Sequence, residues 1–125
     1  SIFKIKGEFY FRKLETEVTL KKLKENNSVI SLGGGAFLNK IIRKNVKFSA
    51  TSFWLDVNTQ ELARRLKNSK KRPLLQNKNL FKTIDEIYLK RKKTYIMADF
   101  RVKCSSLKAE KIINMILELY EKSRN

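Results

Sequence analysis

The chain has 125 residues, 42% of them apolar, and sets 29 Lys and Arg against 12 Asp and Glu for a formal net charge of +17. That apolar content supports a core and excludes wholesale disorder, so the chain reads as one domain or a large piece of one. The lack of histidine excludes His-based triads and ordinary zinc sites. Its single cysteine, Cys104, excludes an internal disulfide and fits a reducing, cytoplasmic compartment. No apolar run approaches the ~20 residues of a membrane span.

The predicted elements follow in chain order. Residues 8–25 place Phe11, Leu14, Val18, Leu20 and Leu23 at helical spacing and end in Asn26-Asn27. Val29-Ile30-Ser31-Leu32 reads as a short buried strand, and Gly33, Gly34 and Gly35 follow it directly. Three of the chain's four glycines stand together there. Glycine reaches positive φ without strain and lets backbone N–H groups face an anion or hydroxyl, so the triplet predicts a close approach to the main chain.

Ala36 to Lys44 is the predicted helix after the glycines. Ser52 to Val57 is a second strand, and Asn58 or Thr59 caps a helix running to about Lys67. Residues 68–79, polar and basic around the only proline, read as a loop of the kind that serves as a mobile lid. Leu80 to about Tyr95 returns to helix with Phe81, Ile84, Ile87 and Tyr88 on one face. Phe100 to Cys104 is a third strand, and Ser106 is the expected cap of a last helix carrying Ile112, Ile113, Ile116, Leu119 and Tyr120. Strands alternating with helices predict an α/β domain with a parallel sheet, whose ligands sit beyond the C-terminal strand ends.

Five motifs in this order resemble shikimate kinase. They are Gly7-Glu8-x-x-Phe11-Arg12-x-x-Glu15, Leu32-Gly33-Gly34-Gly35, the Trp-Leu-Asp-Val strand ending at Val57, Arg72-Pro73-Leu74-Leu75, and Arg91-x-x-x-Tyr95-x-x-Ala98-Asp99. The similarity covers essentially all of residues 1–125. It implies a P-loop kinase fold of the nucleoside monophosphate kinase-like type, a three-layer arrangement around a parallel sheet that here lacks its first two strands.

The implied activity is ATP-dependent phosphorylation of the shikimate 3-hydroxyl on the route to chorismate and the aromatic amino acids, with shikimate and ATP as partners, Mg²⁺ as cofactor, and a monomeric enzyme. By this resemblance Arg12 and Arg91 hold the shikimate carboxylate, for which a planar guanidinium fork is suited. Gly34, with Gly33 and Gly35, offers backbone groups to a ring hydroxyl. Glu15 stands three residues after Arg12 on one helical face and fixes its rotamer. Arg72 is the lid arginine expected to stabilise charge on the transferring phosphoryl group. Arg65 falls on the nucleotide side. Trp54 and Tyr95 read as packing residues.

Some positions depart from the family pattern. Lys103-Cys104 replaces a frequent Asp-Thr, and a proline near the adenine is replaced around Ala109. No G-x-x-x-x-G-K-[ST] phosphate cradle starts at any of the four glycines. The P-loop and the metal-binding residues are therefore expected upstream of Ser1, and the polypeptide alone is expected to be poorly stable and catalytically inactive. Two alternative readings are another small-molecule P-loop kinase, gluconate kinase-like, and a basic nucleic-acid-binding module. The joint presence of the Gly-Glu-x-x-Phe-Arg motif, the glycine triplet and Arg91-x-x-x-Tyr95 discriminates against the first. Positive charge spread from Lys4 to Lys122, with aromatics mostly on core faces rather than interleaved as stacking platforms, argues against the second.

Overall fold

A computed structural model describes residues 2–25, 27–67 and 80–124, with residues 2–6 and 8 described by backbone alone. The chain divides into two compact units, Ser1–Ser52 and Phe53–Asn125. The predicted lid, 68–79, and with it Arg72, lies outside the described residues.

In the first unit, helix α1 spans Ile2–Leu23 and is interrupted at Gly7, whose φ of 78° and ψ of 176° are closed to side chains with a Cβ. The apolar stripe read from the sequence is displaced: Val18 is exposed, whereas Thr19 is buried. The inward face runs instead through Arg12, Thr16, Thr19 and Leu23, which also share helical spacing.

Val29–Leu32 forms no strand. A strand exists only through ladder hydrogen bonds to a neighbour, and no described segment pairs with this one. Val29 is fully exposed, while Leu32 packs onto a core of Ala36, Ile42 and Val46 with Leu23 and Phe37.

The helix expected from Ala36 is split. A single 3₁₀ turn covers Ala36–Leu38, and α2 spans Lys40–Ser49. Asn39 causes the split: its backbone is extended, and its Oδ1 accepts the N–H groups of Ile41 at 2.8 Å and Ile42 at 3.2 Å. An asparagine that satisfies orphan helix donors favours the cap position over the helix interior.

The second unit holds strands β1 (Phe53–Asp56) and β2 (Phe100–Lys103), paired in parallel with Phe53 opposite Phe100 and Asp56 opposite Lys103. Parallel neighbours require a long crossover, and here it includes α3 (Thr59–Lys67) and α4 (Leu80–Tyr95). Helix α5 (Ala109–Ser123) follows and packs on β2. Asn58 caps α3 as expected, its Oδ1 accepting Glu61 N–H at 2.8 Å.

Ser106 does not cap α5. It adopts a left-handed turn with φ of 64°, and the helix begins three residues later without a side-chain cap. Among the described residues of this unit the buried side chains are Trp54, Ile84, Val102, Cys104 and one charged residue, Asp56. No described residue of α5 is fully buried, and Ile113 and Tyr120, two of the apolar and aromatic residues it was expected to carry, are exposed.

Candidate functional site

In the first unit the glycine loop lies against the Arg12–Glu15 pair. Arg12 Nη1 donates to Glu15 Oε1 at 2.9 Å, and the guanidinium carbon stands 5.4 Å from the centre of the Phe11 ring. A methyl group placed on Gly35 would stand 2.6 Å from Arg12 Nη1 and 2.9 Å from Nη2. One placed on Gly33 would meet Glu15 Oε2 at 3.5 Å, an ordinary contact.

The close approach expected at the glycines is made at Gly35 by the Arg12 guanidinium, and it uses no positive φ. Gly35 has φ of −100° and ψ of −8°, and Gly7 is the one described glycine in the left-handed region. What Gly35 supplies is room for a guanidinium.

A second set of bonds fixes the backbone beneath Arg12. Thr16 Oγ1 donates to the Arg12 carbonyl at 2.8 Å, and Asn39 Nδ2 donates to Thr16 Oγ1 at 3.0 Å. The same Asn39 caps α2, so the exit of the glycine loop is tied to the turn of α1 that carries Arg12. Neither Thr16 nor Asn39 stood out in the sequence. The available signal was Thr16 at i+4 from Arg12, a spacing at which a threonine hydroxyl returns to the backbone.

Gly35→Ala tests this packing directly. The obstructing atoms are the far end of a flexible side chain, so the backbone is expected to survive with stability changed by less than about 1 kcal/mol. Arg12 has to leave its place, and its bond to Glu15 has to re-form elsewhere or be lost. Urea melts of the parent and the variant measure this; a loss well above about 1 kcal/mol would show that the backbone rather than the guanidinium gives way.

In the second unit, β1 and β2 bring a charged cluster to the face that carries Trp54 and Asp56. Alternation along β1 puts these two on one face, and register puts Arg101 opposite Trp54. The Asp56 carboxylate, buried in that face, accepts Arg101 Nε at 2.9 Å, Arg101 Nη2 at 2.6 Å and the Tyr88 hydroxyl at 2.8 Å. The Arg101 guanidinium lies 4.6 Å from the Trp54 ring centre, a cation–π contact. Tyr88 and Tyr95 set their rings 6.4 and 6.1 Å from Trp54, the second edge-on, which agrees with the packing role read for Trp54 and Tyr95.

Burial, followed by the hydrogen bond and charge of Asp56, raises the Tyr88 pKa above the ordinary tyrosine value. The hydrogen bonds that Arg101 itself donates to Asp56 strengthen its hold on its proton. Burial likewise raises Cys104, so this thiol stays protonated and is a core residue rather than a nucleophile.

Arg91 stands on α4 three residues after Tyr88 and four before Tyr95, half-buried, and no ion pair joins it to a described residue. Arg65 lies 3.5 Å from Glu61 Oε1, as does Arg64. The other Glu61 oxygen accepts the Ser106 N–H at 3.4 Å, and Ser105 Oγ accepts the Asn58 N–H at 2.9 Å, which fastens the start of α3 to the turn after β2.

Among the described residues no group of three or more His, Cys, Asp or Glu is arranged to hold a metal ion, and no helix is long and apolar enough to cross a membrane. Of Asp56, Tyr88, Arg101 and Glu61, the sequence reading held Asp56 only as part of the Trp-Leu-Asp-Val motif and Tyr88 only on the apolar face of its helix, and gave none of the four a polar role.

The family model described as shikimate kinase matches residues 1–121. A curated shikimate kinase of Persephonella marina is 37% identical over 116 residues, 93% of this chain and 70% of that protein. One of Aquifex aeolicus is 37% identical over 118 residues, 94% of this chain and 69% of that protein.

Among solved structures, the shikimate kinase from Acinetobacter baumannii in complex with shikimate superposes with a TM-score of 0.87 at 26% identity, covering 98% of this chain and 69% of that one. The Aquifex aeolicus enzyme gives a TM-score of 0.82 at 36% identity, covering 98% of this chain and 71% of that one. The ordered motifs, the α/β fold with its parallel strands and these matches agree: the chain belongs to the shikimate kinase family.

Proposed function

We propose that the first unit carries the shikimate-binding side of an ATP-dependent shikimate kinase. The observation that carries this reading is the Arg12 guanidinium seated in the space left by the missing Gly35 side chain, with Glu15 holding its rotamer. In this reading Arg12 and Arg91 each offer a guanidinium to the shikimate carboxylate, and Gly34 with its neighbours offers backbone groups to a ring hydroxyl.

The 3-hydroxyl oxygen forms a bond to the γ-phosphorus of ATP as the bond to the β-phosphate oxygen breaks. ADP leaves and the hydroxyl proton is released. Arg72 is assigned to charge on the transferring phosphoryl group and Arg65, which lies 3.5 Å from Glu61, to the nucleotide side.

Mg²⁺, when bound with ATP, screens phosphate charge; it is commonly held by few protein ligands together with phosphates and water. The described carboxylates form no cage for it, so no role is assigned to them in holding it. A cytoplasmic, monomeric enzyme fits a protein that uses ATP and keeps one buried thiol.

Calorimetric titration of shikimate, its methyl ester and gluconate tests the reading. Shikimate is expected to bind, and the ester about 10-fold or more weakly, because esterification removes the charge that a guanidinium fork recognises. Equal affinity for acid and ester, or preference for gluconate, would overturn it.

A further inference from the structure

Arg101 and Asp56 take no part in the proposed contacts with shikimate, yet they form a closely bonded polar cluster with Tyr88. The carboxylate is buried and receives three donors, two from the Arg101 fork and one from the Tyr88 hydroxyl. Asp56 and Arg101 belong to the two strands, whereas Tyr88 belongs to α4. The cluster therefore fastens the helix to the sheet at one defined point.

Trp54 supplies a second contact line, with Arg101 across its face and Tyr88 and Tyr95 against it. Tyr88 and Tyr95 are seven residues apart, two helical turns, and so bind α4 along one stripe. At about 100° per residue, Arg91 lies about 60° around the helix from Tyr88 and about 40° from Tyr95. A rotation of α4 that slackened the Tyr88 contact would swing Arg91 with it.

We infer that Arg101 is a positioning residue for shikimate binding: by clamping Asp56 it holds Tyr88, and through Tyr88 it sets the rotation of α4 that presents Arg91. This inference rests on the proposed role of Arg91. The fork matters because Nε and Nη2 both reach one carboxylate oxygen, Oδ2, leaving Oδ1 to accept the Tyr88 hydroxyl. A lysine ammonium keeps the charge but presents no planar fork, so it does not reproduce this division of the carboxylate.

The test is calorimetric titration of shikimate into the full chain and into four variants: Tyr88→Phe, Arg101→Lys, Arg91→Ala, and Tyr88→Phe combined with Arg91→Ala. Tyr88→Phe and Arg101→Lys are each expected to raise Kd about 5-fold with stoichiometry unchanged, whereas loss of folded protein lowers stoichiometry and leaves Kd alone. In the Arg91→Ala background, Tyr88→Phe is expected to add nothing further, since contacts acting through one residue are non-additive. Arg101→Lys is also expected to shift the emission of Trp54, the only tryptophan.

If the parent chain does not bind shikimate, or Arg91→Ala binds as tightly as the parent, the reading of Arg91 falls and this inference falls with it. If Arg91→Ala weakens binding while Tyr88→Phe and Arg101→Lys leave Kd unchanged, the inference alone is overturned. A Tyr88→Phe effect undiminished in the Arg91→Ala background overturns it equally.

Discussion

Arg12→Ala is expected to weaken shikimate binding about 100-fold while leaving the first unit folded. Hydrogen bonds to charged groups are worth about 1.5–3 kcal/mol each, and a forked pair to a carboxylate adds geometric selection. Losing about 2.7 kcal/mol of such binding corresponds to about 100-fold in Kd.

The stability cost is much smaller. The Arg12–Glu15 pair is partly open to solvent, and a pair of this kind contributes about 0.3–0.5 kcal/mol. The bonds that fix the surrounding backbone use the Arg12 carbonyl, Thr16 and Asn39, and alanine keeps that carbonyl. A large loss of affinity with a nearly unchanged urea midpoint is therefore the expected signature, read by titration calorimetry and by equilibrium melts. Parallel losses of affinity and stability would make Arg12 a structural residue. Arg12→Lys is expected to recover only part of the affinity, because one ammonium replaces a planar fork.

Those two quantities are expected to separate because the proposed site is built from two kinds of residue, and they were unequally legible in the sequence. Residues that act through their own chemistry were reached through the family resemblance: Arg12, Glu15 and the glycine triplet stand in its motifs, and the structure brings Arg12 and Glu15 against the glycine loop. Residues that act by holding a neighbour were not. Thr16 and Asn39 are ordinary polar residues whose partners lie on different elements, and the Asp56 partners stand 32 and 45 residues away.

The fold divides in the same manner. Asn58 as a cap, the β1 strand and the extent of α4 were legible because local spacing decides them. The Val29–Leu32 segment was misread because apolar composition suggests a strand but cannot supply its neighbour. Asn39 and Ser106 show the remaining limit. Both types favour caps and turns, and only tertiary contacts decide which: Asn39 caps α2, whereas Ser106 takes a left-handed turn beside Glu61.

The second large effect is on stability, and it distinguishes the two partners of one ion pair. The Asp56 side chain is 7% exposed and that of Arg101 is 36% exposed. Arg101→Met leaves a buried carboxylate with one hydroxyl donor, a situation that costs about 3–5 kcal/mol when burial is complete. Because Tyr88 still donates and Arg101 is partly exposed, about 2–3 kcal/mol is expected here. Asp56→Asn removes the buried charge instead. The amide keeps a carbonyl that can accept from Tyr88 or Arg101, and the guanidinium already reaches water, so a cost of about 1 kcal/mol is expected.

The more exposed partner is thus the more costly one to remove. In the double variant Asp56→Asn with Arg101→Met, the charge that made the arginine necessary is gone, and the loss is expected to approach that of Asp56→Asn plus the Trp54 contact, below the sum of the single losses. Urea melts of the four proteins measure this. Additive losses, or a larger loss for Asp56→Asn than for Arg101→Met, would mean that water or another cation already serves Asp56, and that the bidentate pair is not what stabilises β1 beside β2.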